Sequence, residues 1–171
     1  NTTYTKIITD EDLMETVQHG SNLYPFQFYY EDLSVFDFNC IEWHWHTELE
    51  FIYIESGNVT LWIGEDQFNL TEGNGIFINT KVLHRLYSPS KALIPNFVFM
   101  PSFIAPCNSL IYQKYILPII SYPLPFLIFH KKVCWQAKVL SIMRQIISAQ
   151  DSVLSKELLT LSLIHISEPT R

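Results

Sequence analysis

Two histidines flanking a tryptophan, His44-Trp45-His46, with Glu50 four residues on, are the side chains of this chain best suited to bind something. Neutral imidazole nitrogens plus one carboxylate form the donor set of a borderline divalent cation. The same groups can instead hydrogen-bond the hydroxyls of a small organic ligand, with no metal at all. Spacing favours a shared site. Side chains alternate between faces along an extended strand, so His44, His46 and Glu50, all even-numbered, would project from one strand into one space. The plain alternative is that His44 and His46 are ordinary polar residues on a half-exposed strand.

The bulk of the chain must supply the elements that hold these groups. At 171 residues, 48% apolar and 16% charged, it is a folded domain with an appendage, not a disordered segment. Twelve Phe, nine Tyr and four Trp point toward half-buried pleated surfaces. A net charge of −6 with eleven Lys and Arg argues against this segment gripping nucleic acid by itself. Cys40, Cys107 and Cys134 are odd in number and widely spaced, which fits free thiols in a reducing cytosol. No basic-then-apolar leader opens the chain. The most apolar run, Tyr115 to Phe129, is broken by Pro118, Pro123 and Pro125 and reads as a buried loop. These features imply a cytoplasmic protein with no membrane partner.

Along the chain, Thr9 to Gly20 reads as a short helix, with Thr9 as cap and Asp10, Glu11 and Asp12 in its first turn. From Pro25 the period becomes two. Strands are expected at 26–30 and 35–38, then one long strand from about Ile41 to Glu55. Ser56-Gly57-Asn58 should turn that strand into a hairpin with 59–63, setting Ile54 beside Val59 and Ile52 beside Leu61. Further short strands follow at 68–70, 75–78, around His84 and at 95–100. Close spacing with turn residues between means an antiparallel barrel or sandwich. A helix is expected from Lys132 to Ala149, with Val133, Ala137, Leu140, Met143 and Ile147 on its apolar stripe, and a second after Asp151. The expected layout is an N-terminal segment (1–24), a barrel (25–105), a proline-rich connector (106–131), two dimerisation or linker helices (132–162) and a tail (163–171). That tail resembles read-through from sequencing-adapter DNA, which would make the chain a fragment and leaves His165 without a functional role.

The pattern His-x-His-x3-Glu-x6-Gly, ending at Gly57, resembles the first motif of the cupin superfamily. Gly73 and His84 hold matching places in the second motif, while Asn79, Lys81 and Ser88 depart from its proline, glycine and asparagine, and Phe38 replaces a glycine in the first. The resemblance implies a mainly β, cupin-type antiparallel barrel (a double-stranded β-helix or jelly roll) with a short N-terminal helix and C-terminal helices. It makes His44, His46, Glu50 and His84 both the metal set, for Zn, Fe, Mn or Ni, and the ligand-binding set. On a wider scale the run Trp43 to Tyr53, Gly57, Glu72 to Asn79 and His84 resembles the N-terminal sensor module of AraC-family transcription regulators, over about residues 9 to 160. That implies a non-enzymatic bacterial domain, with no catalytic residue, that binds a small effector, often a sugar in the family, and forms a homodimer. DNA would be contacted only through a C-terminal domain that this sequence lacks. The rival implication is a metal-dependent cupin enzyme, a dioxygenase or sugar isomerase. A storage or purely structural cupin fits less well, being usually built from fuller barrel repeats.

Overall fold

Residues 5–149 and 153–166 are described, in a computed structural model of the chain. Among them, strands β1 (Phe26–Asp32), β8 (Leu93–Phe99), β3 (Leu49–Tyr53), β6 (Gly75–Ile78) and β9 (Phe126–Phe129) lie in that order in one sheet. The second sheet runs β2 (Cys40–His44), β7 (His84–Tyr87), β4 (Asn58–Ile63) and β5 (Asp66–Thr71). Every pairing is antiparallel. Ile52 and Ile76 of the first sheet, Ile54 just past β3, and Val59, Leu61 and Leu86 of the second share one buried aliphatic cluster. Two antiparallel sheets closed over one core are the expected cupin-type barrel.

Alternation divides the first sheet sharply. Odd-numbered Phe51, Phe77, Phe97 and Phe99 turn outward, where Leu140, Met143 and Ile146 of helix α2 (Cys134–Ser148) cover them. Gly75 lets the helix approach. A Cβ there would stand 3.0 Å from Leu140 and 3.1 Å from Met143. Helix α3 (Val153–Ile166) packs on the same cluster through Leu163 and Ile164. It therefore continues past the point where the helical pattern was expected to stop, because those apolar residues are buried there. Residues 167–171 of the expected tail lie outside the described residues.

Three expected elements are absent. The 9–20 helix does not form: the Asp10 carboxylate accepts the backbone N–H groups of Asp12 and Met14, each at 2.9 Å, and Leu13 takes a left-handed φ of 66°. A residue type that caps helices here closes a turn instead. The expected strand at 35–38 is a pair of 3-10 turns (Leu33–Val35 and Asp37–Asn39), the first capped by Asp32 accepting from Ser34 N–H. The hairpin of 49–53 with 58–63 is not made either, since β3 pairs with β6 and β8 while β4 pairs with β5 and β7. Ser56 bridges to Leu93, and Gly57, with φ +90°, carries the chain between sheets; a Cβ would meet the Lys91 carbonyl at 2.7 Å. The proline-rich stretch also holds more order than a loop. It forms a π-helical turn (Tyr112–Ile116), helix α1 (Leu117–Ser121) and β9. No helix among the described residues is long and apolar enough to cross a membrane.

Candidate ligand and metal site in the barrel

The strand predicted from Ile41 to Glu55 is cut in two, and the cut builds the site. β2 ends at His44 in one sheet, and β3 begins at Leu49 in the other. Between them Trp45 pairs with the N-terminal segment: its N–H donates to the Leu13 carbonyl at 3.0 Å and its carbonyl accepts from Glu15 N–H at 2.9 Å. The carbonyl of His46 accepts from Lys81 N–H at 2.8 Å. Parity on a single strand is thus not what brings the groups together. His44 comes from the β2 end, His46 from the crossing, Glu50 from β3, and His84 from the start of β7, where it stands opposite His44.

All four side chains are buried: His44 5%, His46 4%, Glu50 7% and His84 0% exposed. One ring nitrogen from each imidazole lies within 4.8 Å of the others. Glu50 Oε2 is 3.0 Å from His46 Nε2 and 3.2 Å from His84 Nε2. The second of these approaches lacks hydrogen-bond alignment, so His84 Nε2 is a buried nitrogen with no hydrogen-bond partner. On the far side of each ring, Nδ1 meets a backbone carbonyl: Glu42 at 2.8 Å for His44, Glu48 at 3.1 Å for His46 and Val82 at 2.8 Å for His84. A carbonyl can only accept, so each Nδ1 carries the proton. In neutral rings this leaves the Nε2 lone pairs for the cluster, the outer hydrogen bond that metal-binding histidines use.

Charge is unevenly shared. Burial, then the neighbouring His84, lowers the His44 pKa to about 3, so that ring is neutral. Burial pulls His46 the same way, but the hydrogen bond and charge of Glu50, with Glu15 and Glu48 behind them, lift it to about 9. Burial would raise Glu50, yet the hydrogen bond and charge of His46, with the His84 ring 3.2 Å away, hold it well below the usual carboxylate range. Without a metal the cluster therefore contains a His46 imidazolium paired with the Glu50 carboxylate. The donor set fits a divalent cation. The three imidazoles would draw together, to ligand–ligand distances of about 3.4 Å, with Glu50 beside His46 and His84 as a fourth oxygen donor, and the His46 Nε2 proton would be exchanged for the ion.

The cluster opens on a cavity of about 540 Å3 within the barrel. Its lining includes residues that the sequence reading did not single out: Glu15, His19, Tyr29, Glu31 and Asn96. Asn96 was the readable signal, a lone amide in the strand 95–100. On β1 the faces could not be told apart, because aromatics stand at Phe26 and Phe28 on one side and Tyr29 on the other.

Comparison with known proteins agrees with this geometry. Residues 27–103 match the AraC-like ligand binding domain. Over these residues the barrel is similar to an AraC-type ligand-binding domain. The HTH-type transcriptional regulator YdeC of Bacillus subtilis, itself uncharacterized, is 25% identical over 148 residues, which are 81% of this chain and 48% of that protein. The chain thus spans about half the length of the curated relative it matches. Apo ToxT K231A from Vibrio cholerae superposes with TM-score 0.55 at 12% identity, over 86% of this chain and 54% of its own, a likeness of fold. An RmlC-like cupin from Shewanella frigidimarina gives TM-score 0.40 at 17% identity, over 44% of this chain and 67% of its own. In a barrel with this likeness the interior cavity, with imidazoles at one end, is the feature of consequence.

Proposed function

We propose that this chain is the effector-sensing unit of a transcription regulator, and that the barrel cavity is where the effector binds. The observation that carries the proposal is the cavity itself, about 540 Å3, lined by His44, His46 and Glu50 and by groups from the N-terminal segment. That volume suits a small molecule such as a sugar. His44, His46, Glu50 and His84 form the polar anchor. A divalent ion held by them would act as a Lewis acid toward effector oxygen atoms. Without one, the His46 and Glu50 pair and the neutral His44 offer hydrogen bonds directly. DNA would be read by a segment outside this sequence, and effector binding would act through its differential affinity for two arrangements of the whole regulator. Residues 132–162 would link or dimerise such halves. Leu140 and Met143 are buried against the sheet, at 1% and 0% exposed, so pairing would draw on exposed residues such as Trp135 and Leu158.

Metal analysis of the purified domain tests the anchor. A stoichiometric ion in the parent that is lost from the His44→Ala, His46→Ala double variant supports the metal set. An ion retained by that variant would place the metal elsewhere. Effector binding is tested by calorimetry with a sugar panel, and binding that survives a cavity-filling Ile52→Trp change would move the effector out of the barrel. The second reading, a metal-dependent enzyme, is favoured by the imidazole and carboxylate set opening on a cavity. Substrate turnover by the metal-loaded domain would establish it.

A further inference from the structure

Four acidic side chains line the cavity: Glu15, Glu31, Asp32 and Glu50. Three of them have a basic side chain within ion-pair distance. Glu15 lies 3.1 Å from His19 Nε2, Asp32 lies 3.6 Å from Lys91 Nζ, and Glu50 lies between His46 and His84. Glu31 has none within ion-pair distance among the described residues. Its hydrogen-bond donor is Asn96, whose Nδ2 reaches Glu31 Oε2 at 2.8 Å while also donating to the Ile94 carbonyl at 3.0 Å. Asn96 is 2% exposed, so the donor is fixed in place.

This placement is built by strand register. Tyr29 stands opposite Asn96 and Glu31 opposite Ile94, so β1 turns Gln27, Tyr29 and Glu31 into the cavity while Phe26 packs in the outer aromatic cluster. A barrel strand that sends its polar residues inward is shaped for a ligand, not for a dry core. The groups facing Glu31 make matters worse for a lone carboxylate. Burial and the charge of Glu50 raise its pKa to about 7, with Glu15 adding to this and Asn96 and His19 opposing it. Tyr29 reports the same negative field, its pKa raised by burial and by Glu15, Glu31, Glu50 and Glu48. Ile41, Ile52 and Val98 give the same space an apolar floor.

We infer that Glu31 is the specificity-determining residue of the effector cavity, and that the effector carries a protonated amino group which pairs with the Glu31 carboxylate. This rests on the cavity being the effector site. The cation completes the one lining acid that has no basic partner among the described residues, and a charge-assisted hydrogen bond in a partly desolvated site is strong. Lys6 and the His46 imidazolium also line the cavity, so the preference for a cation is local to Glu31.

The test uses matched probes on the whole chain by calorimetry at about pH 8: hexylamine against hexan-1-ol and hexanoate, and glucosamine against glucose. In at least one set the amine should bind about tenfold or more tighter than its hydroxyl twin, and Glu31→Gln should abolish that preference. Equal binding of twins, tighter binding of hexanoate, or no amine binding at about 10 mM would overturn the inference. Glucose or hexan-1-ol binding without amine preference, blocked by Ile52→Trp, would overturn it while leaving the effector site in the cavity. Binding unaffected by Ile52→Trp would remove both readings. An amine preference that persists in Glu31→Gln would assign the cation to another acid and overturn the role of Glu31.

Discussion

The two faces of the five-stranded sheet are made by the same strands and obey opposite rules. Outward, Phe51 lies 4.9 Å from Phe77, 5.5 Å from Phe97 and 6.3 Å from Phe129 in ring centroids, sealed under α2. Inward, one residue away in each strand, stand Glu50, Asn96 and, on β1, Glu31. One face is a dry aromatic layer that can be optimised for packing. The other keeps buried charge beside a cavity, offset at Glu50 by His46 but costly at Glu31. The lesson is that a period of two lets a single sheet separate folding from recognition without separate domains.

That contrast can be broken most severely from the outer side. Phe51→Ala should lower unfolding stability by about 3–5 kcal/mol in urea titration, whereas Ile52→Val, its inward neighbour, should cost about 1 kcal/mol. Similar losses from both would deny the division. Gly75→Val sets a Cβ 2.9 Å from the Ile52 carbonyl and drives methyl groups into Leu140 and Met143, and should cost about 2 kcal/mol in the same titration.

Glu31 sharpens the contrast because its effect depends on pH. Its pKa is about 7 in the folded chain against an ordinary 4.5, so its burial costs nothing below about pH 4.5, grows costly through that window and is fully felt above about 7. Glu31→Gln should therefore stabilise the ligand-free domain by about 2 kcal/mol at pH 8 and by almost nothing at pH 4.5. A variant that destabilises the domain equally at both pH values would show Glu31 to be structural. The smallest effect is expected at the helices. Leu158→Glu, at a position 57% exposed, should change monomer stability by less than about 0.5 kcal/mol while reducing any self-association seen in light scattering.

Much of this was legible in residue order, though not always for the right reason. Turn residues and alternation predicted the barrel, and α2 was expected within two residues of where it lies. His44, His46, Glu50 and His84 do converge, but through a break between sheets that the pairing of Trp45 with the N-terminal segment imposes. No local pattern announces a contact that distant. At Asp10 the preference for capping a helix and for closing an Asx turn is the same preference, so the sequence could not choose between them. Which face of β1 looks inward depended on its register with β8, and with it the roles of Tyr29 and Glu31 stayed hidden.

The acceptors that hold the three imidazoles belong to the main chain at Glu42, Glu48 and Val82. Substitution at those positions replaces a side chain but not a carbonyl. Ring orientation is thus inherited with backbone shape, while the Glu48 side chain adds its charge to holding the His46 proton. A lineage of such domains could vary the side chains at 42, 48 and 82, even retune its ligand at Glu31, and still aim the same three rings at the same point. In laboratory evolution of new effector specificity, the imidazole end is the fixed datum and the β1 wall is the adjustable one.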